Sequence, residues 1–239
     1  MAYQTVFKRY ELKYMLTAAQ KVAVLSAIAP HIHLDGYGRT VIRNIYFDTD
    51  SYRLIRRSMD KPEYKEKLRI RSYCRAAPDT DVFVELKKKY KSVVYKRRMA
   101  MREREAVAWV EREEHCGAHT QISDEIDYFL DFYSSLAPRL FLSYEREAYY
   151  SLDGSDFRIT FDENILARED DLTLESEAYG TPILDTGCTL MEIKCSGGIP
   201  LWMTEVLSRE RIYRTSFSKY GTAYKNIIYP RIKEKDKNA

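Results

Sequence analysis

Three stretches, YKEKLRIRSY (64–73), DVFVELKKKY (81–90) and SVVYKRRMAM (92–101), decide the fold. Each has strand length and is bounded by turn-forming residues. Side chains alternate faces along a strand, so each stretch has two sides. Lys67, Arg69 and Arg71 oppose Leu68 and Ile70. Glu85, Lys87 and Lys89 oppose Val84, Leu86 and Tyr90, with Lys88 breaking the pattern. Lys96 and Arg98 oppose Tyr95 and Met99, with Arg97 breaking it. One such strand alone reads as half-solvated antiparallel sheet, apolar inward and charged outward.

The same split recurs outward in both directions. In FKRYELKYML (7–16), Arg9, Glu11 and Lys13 oppose Tyr10, Leu12 and Tyr14. In PRLFLSYEREAYY (138–150), Arg146 faces away from Glu145 and Glu147. Arg158, Thr160 and Asp162 oppose Phe157, Ile159 and Phe161, and Glu192 and Lys194 oppose Met191, Ile193 and Cys195. TVIRNIYFDT (40–49) is a further strand. Helices are expected after Thr17, over 50–59, 106–115 and 122–136, and in PLWMTEVLSRE (200–210) and SFSKYGTAYKNII (216–228). The acidic run 169–177 reads as a solvated loop and the last residues as a frayed polar tail.

Seven charged faces together carry twelve bases (Arg9, Lys13, Lys67, Arg69, Arg71, Lys87, Lys89, Lys96, Arg98, Arg146, Arg158, Lys194) and four acids (Glu11, Glu85, Asp162, Glu192). That is a surplus of eight positive charges. The whole chain is only +3, so the remainder is net −5. A solvated face mixes signs; this one is segregated. Cations held so densely repel one another, which makes sense where a polyanion fills the space between them. Arginine offers planar forks to phosphate oxygens and lysine a point charge. Glu11, Glu85 and Glu192 each stand two residues before a lysine on the same face. A carboxylate among such cations suits Mg²⁺ or Mn²⁺ bridging to phosphate, or else neutralises a neighbouring base.

The chain has 239 residues, 45% of them hydrophobic and 31% charged, a composition that suits one large globular domain. The expected division is a single domain over 1–230 and a tail over 231–239. No apolar run is long enough for a membrane span, and the N-terminus lacks a signal-peptide core. The four cysteines form no CxxC pair and read as reduced thiols, so the expected location is cytoplasmic. There is no GxxxxGK[ST], no GxGxxG and no convincing Ser/His/Asp or Cys/His set. His115, Cys116 and His119 only imitate a metal cluster. Nucleic acid is disfavoured as a partner: were the basic face to line a closed barrel, the acidic exterior would meet any duplex.

These motifs resemble the triphosphate-tunnel (CYTH-like) metalloenzymes, and more closely their VTC polyphosphate-polymerase branch. KLRIRSY, VFVELKKK, KRR (96–98), SYEREAY, FRITFDENI, LMEIK and FSKY (217–220) stand in that branch's order, over about 7–228. The resemblance implies an α+β fold built on an eight-stranded antiparallel β-barrel whose lumen is lined by Arg, Lys and Glu. It implies that Arg69, Arg71, Lys87, Arg146 and Glu192 are catalytic. Lys13, Lys96, Arg158 and Lys219 match phosphate-contacting positions. Tyr144 matches a tyrosine near the phosphates. Arg9, Lys67, Lys89, Arg98 and Lys194 join them on the basic face, and Ser218 joins Lys219 at the start of the late helix. Glu192 matches the metal-binding carboxylate, with Glu85 and Glu11 as further candidates. Arg9 departs from the first glutamate of the hydrolases' ExExK, which disfavours a two-metal hydrolytic site. The implied substrates are ATP or another NTP, inorganic polyphosphate, and pyrophosphate or triphosphate, with Mn²⁺ or Mg²⁺. The implied reaction is elongation of polyphosphate. A triphosphatase of the same fold, or a non-catalytic polyphosphate- or inositol-phosphate-binding module, are the alternatives. Protein partners are left open by the resemblance.

Overall fold

The computed structural model describes residues 6–237, and for 6–9, 235 and 236 the backbone alone. The side chain of Arg9 therefore lies outside the described residues. In chain order the elements are β1 (Val6–Leu16), α1 (Ala18–Ile28), β2 (Ile32–Leu34), β3 (Thr40–Asp48), α2 (Arg53–Met59) and β4 (Tyr64–Ser72). There follow β5 (Asp81–Tyr90), β6 (Val93–Arg102), α3 (Glu103–Val110), α4 (Gln121–Phe132), β7 (Ala137–Ser151) and β8 (Arg158–Arg168). The chain ends with β9 (Thr181–Pro182), β10 (Thr189–Cys195), α5 (Leu201–Arg209), β11 (Arg214–Thr215), α6 (Lys219–Ala223), a π-turn (Tyr224–Ile228) and α7 (Tyr229–Lys237).

All strand pairings are antiparallel. β3, β4, β5 and β6 pair in sequence, β6 pairs β1, β1 pairs β10, and β10 pairs β8. β7 then pairs both β8 and β3, so the hydrogen bonding returns to its start after eight strands. The expected eight-stranded barrel is present. β7 is 15 residues long, which lets it serve two neighbours. A register shift at Ser143/Glu145, opposite Asn164 with φ 48°, bends β8 around it.

The register sorts the faces. Lys13 stands opposite Glu192, Glu11 opposite Lys194, Lys67 opposite Lys87, and Arg146 opposite Asp162. The charged faces thus line the lumen, and the apolar faces point outward under helices. Leu68, Ile70, Val84 and Leu86 pack with Trp109 of α3 and Ile126 and Phe129 of α4. Tyr14, Ile159, Phe161 and Ile193 pack with Val24 and Ile28 of α1 and with Met203 and Val206 of α5. Each large apolar side chain so buried contributes roughly 1.5–3 kcal/mol, which offsets the cost of a charged interior. Lys88 and Arg97, which broke the sequence pattern, face outward and both pair with Glu125 of α4.

At one end of the lumen α6 and the π-turn cover the inner wall of β3 and β7. Ile42, Tyr46, Leu140, Leu142 and Tyr144 pack there with Tyr220, Ala223, Tyr224 and Ile228. Buried Asp48 fixes this end by accepting hydrogen bonds from the N–H groups of Thr49, Leu54 and Ile55 and from the Tyr220 hydroxyl. Three local expectations need correction. α3 begins at Glu103 rather than Ala106, and the Glu105 carboxylate accepts from the Arg102 backbone N–H at 3.3 Å. The tail is helical to Lys237, with Arg231 paired to Glu169 at 2.6 Å. The 169–177 run is not simply solvated: Leu174 is fully buried and its carbonyl accepts from the Ala76 N–H.

Candidate functional site

Twelve bases with described side chains are brought to the lumen: eleven predicted from the strands and Lys219 from α6. They face four acids, again a surplus of eight. The acids differ sharply in how they are held. Glu85 is fully enclosed; Arg69 donates twice to one oxygen, at 2.9 and 2.6 Å, and Lys96 to the other at 3.0 Å. Arg71 lies 3.7 Å from it. Asp162 is likewise enclosed, with Arg146 bidentate at 2.6 and 2.7 Å and Lys219 at 2.5 Å. Glu192 is held loosely, with Lys13 at 3.4, Lys219 and Lys194 at 3.3, and Arg146 at 3.7 Å. Glu11 pairs with Lys87 at 2.5 Å.

Two polar strands brace the arginines. Asn44 accepts from Arg71 Nε at 3.0 Å, and Tyr144 Oη accepts from Arg71 Nη2 at 3.1 Å. Tyr46 Oη accepts from Arg69 Nη1 at 2.7 Å. The Tyr144 ring lies beneath both Arg146 and Lys219, at 5.0 and 4.5 Å from centroid to cation. Lys194 donates to Thr160 Oγ1 at 2.9 Å. Toward the end of the barrel away from α6, Arg98 covers the Phe83 ring and Arg158 the Tyr150 ring. At the α6 end Lys13 donates to the Phe217 carbonyl and Lys67 to Ser218 Oγ. Ser218 also caps α6, accepting from the Gly221 N–H at 3.1 Å. Lys89 lies beyond Lys87, part-buried near Lys65.

Charge crowding sets the protonation. Burial pushes the Lys67 amine down, and Lys13, Lys87, Lys65 and Arg69 add to it, to about 7. Lys96 falls to about 7 through burial and the neighbouring Arg71 and Arg69, against the pull of Glu85. Burial favours the neutral form of Glu11, but Lys87 and Lys194 prevail and hold it at about 2. Glu192 is kept well below the usual carboxylate range by Lys219, Lys13, Lys194 and Arg146, against its burial.

Sequence reasoning missed Asn44 and Tyr46. They alternate with Arg43, Ile45 and Phe47 in TVIRNIYFD, so the same two-residue period carried the signal. Asp162 belongs to the charged face in the sequence pattern, which gives it no role of its own; in the fold it is the partner that aims Arg146. Glu85 does not suit the metal role expected of it, because both its oxygens are occupied at short distance by buried cations. Among the described residues no three His, Cys, Asp or Glu side chains converge as a metal cage. Glu192 is ringed at 3.3–3.7 Å rather than clasped, and lies close enough to Glu11 and Asp162 to feel their charge. One or two carboxylates, completed by phosphate oxygens, suit Mg²⁺ or Mn²⁺.

A closed antiparallel barrel with a cation-lined interior and helices packed outside it is the triphosphate-tunnel fold. The VTC domain family model matches residues 8–228, and the chain belongs to that family. A protein from Bacillus halodurans provisionally described as an adenylate cyclase shares the fold. It has a TM-score of 0.56 and 15% identity, over 90% of this chain and 96% of that one. An adenylyl cyclase candidate from Hippeastrum, described as having a dominant triphosphatase activity, gives 0.49 and 17%, over 89% and 93%. Among curated proteins none matches the chain in sequence. No helix among the described residues is long and apolar enough to cross a membrane.

Proposed function

We propose that the chain is a metal-dependent polyphosphate polymerase that transfers the γ-phosphate of ATP, or another NTP, to a phosphate chain in its lumen. The observation that carries this reading is the surplus of eight basic over acidic side chains on one continuous inner face. Four acids against twelve bases leave most of the basic side chains uncompensated, and a linear polyanion is the ligand that completes the site. Family membership favours the polymerase over other phosphate chemistries.

Arg69, Arg71, Lys87 and Arg146 bind the non-bridging oxygens and hold the attacking and leaving oxygens in line. Catalysis of phosphoryl transfer is mostly such positioning and charge stabilisation. The terminal oxygen of the growing chain attacks the γ-phosphorus, the β–γ bridging bond breaks, and the nucleoside diphosphate leaves. No protein nucleophile is required. Lys13, Lys67, Lys96, Arg158, Lys194 and Lys219 track the chain along the barrel, with Arg98 and Lys89 toward its two ends. Glu192, with Glu11, would hold Mn²⁺ or Mg²⁺, which supplies neutralisation of charge on the phosphate oxygens when bound.

The test is product analysis. Purified protein is incubated with ATP and Mn²⁺, and the products are resolved on a polyphosphate-stained gel and by orthophosphate assay. Long polymer is expected. Orthophosphate and ADP without polymer would make the chain a hydrolase; tight triphosphate binding without turnover would make it a binding module.

A further inference from the structure

On the outer wall of the barrel, Arg43 of β3 stands directly opposite Ser143 of β7. Side chains paired in this way across two strands are within reach of one another. Both are buried, Arg43 being 7% and Ser143 1% exposed. Yet Arg43 Nε and Ser143 Oγ are fully enclosed with no hydrogen-bond partner among the described residues. Buried polar groups are ordinarily paired, because an unpaired one loses its hydration without return. Two such atoms on facing residues call for one shared acceptor.

The neighbouring arginines show that the surrounding protein groups are already engaged. Arg168, close enough to Arg43 to repel its charge, directs its donors to the carbonyls of Asp170, Asp171, Glu177 and Tyr179. Arg75 donates to the Glu175 carbonyl and pairs with the Glu177 carboxylate at 2.6 Å. Arg43 forms no ion pair among the described residues. Burial lowers its pKa, and the pull of Glu177, held by Arg75, does not restore it. The acceptor that fits is therefore an anion. Nε and the Nη beside it make a fork, and the serine hydroxyl is a third donor from the next strand. A tetrahedral oxyanion accepts from all three on separate oxygens; a planar carboxylate has only two. The terminal nitrogens of Arg43 are not enclosed as Nε is, which gives an anion access from solvent.

We propose that Arg43 and Ser143 form an anion site on the outer wall, which takes a small phosphate group. It goes beyond the reaction proposed for the lumen and lies on the other side of the barrel wall. Asn44, the next residue in the chain, faces inward and accepts from Arg71, so the site stands one residue from the brace of a lumenal arginine.

The probe is inorganic phosphate, titrated into the whole chain carrying isotope-labelled arginine, with the Nε–H signals followed one by one by NMR. Arg43→Lys keeps the charge and lacks the Nε–H, and so assigns the signal; should that variant not fold, the signal is the Nε–H that Ser143→Ala shifts most. The Arg43 signal is expected to move downfield and saturate. Ser143→Ala removes an unpartnered buried hydroxyl, so its melting temperature should not fall, yet the midpoint should rise by about tenfold, the scale of one lost charge-assisted hydrogen bond. Chloride at the same ionic strength, and acetate, should leave the signal in place. The proposal is overturned if phosphate gives no saturable shift at Arg43, if chloride or acetate reproduces it, or if Ser143→Ala binds as tightly as the wild type. Lumenal arginines report separately in the same spectra, so failure of the polymerase reading would leave this result unchanged.

Discussion

Both oxygens of Glu85 are taken up by Arg69 and Lys96, whereas those of Glu192 are ringed at 3.3–3.7 Å by four cations. The two glutamates should therefore fail differently. Glu85→Gln leaves Arg69, Arg71 and Lys96 without their shared anion in a closed interior, and should cost about 3–5 kcal/mol in urea denaturation. Glu192→Gln should cost far less stability and retain triphosphate binding, yet lose polymer synthesis. Lys67 gives a pH signature. Its folded pKa of about 7 lies below its unfolded value. Unfolded chains therefore bind more protons between about pH 7 and 10. The empty protein should lose stability as pH falls through that window and show no further loss from this group below it. A bound polyanion favours the charged amine, so tripolyphosphate binding at pH 8 should take up protons. Calorimetry in buffers of different ionisation enthalpy reads that uptake directly, and Lys67→Met should reduce it.

At the scale of elements, α6 joins the charged lumen to the apolar cluster around Tyr46 and Tyr220. Ser218 caps its first turn, Lys219 reaches inward to Asp162 and Glu192, and Tyr220 turns the other way to Asp48. The three consecutive side chains tie helix, barrel wall and lumen together. Lys219→Ala leaves Arg146 on Asp162, and Lys13 and Lys194 on Glu192, so the barrel should survive. Tripolyphosphate binding should weaken by about 1–3 kcal/mol, the worth of a charge-assisted hydrogen bond, and the polymer should shorten. Wild-type affinity and product length in this variant would reduce α6 to a packing element. The helix pairs outside the barrel do a different job. They cover the apolar strand faces, which is what turns an ordinary two-faced strand into a charged interior.

For the whole molecule, the fold was legible because one period, two residues, wrote charge on one face of seven strands. That period alone puts Lys67, Arg69 and Arg71 on a common face. It could not say which face was inside; that depends on whether helices cover the apolar side, and α3 and α4 do so for β4, β5 and β6. Nor could it separate Glu85 from Glu192, since both sit in the same ExK spacing. Their difference comes from cross-strand register, with Glu85 between Arg69 and Arg98 and Glu192 between Lys13 and Thr160. Asn44 and Tyr46 escaped notice because a neutral polar residue on a strand carries no charge signal. The account rests on one claim, that the lumen holds a linear phosphate chain. A crystal structure of the protein soaked with tripolyphosphate and Mn²⁺ tests it most directly. The account predicts phosphate oxygens within hydrogen-bonding distance of Arg69, Arg71, Lys87 and Arg146, with Glu192 drawn off its lysines toward the cation. Tripolyphosphate found only on the outer surface, with Glu192 still ringed by Lys13, Lys194 and Lys219, would contradict it.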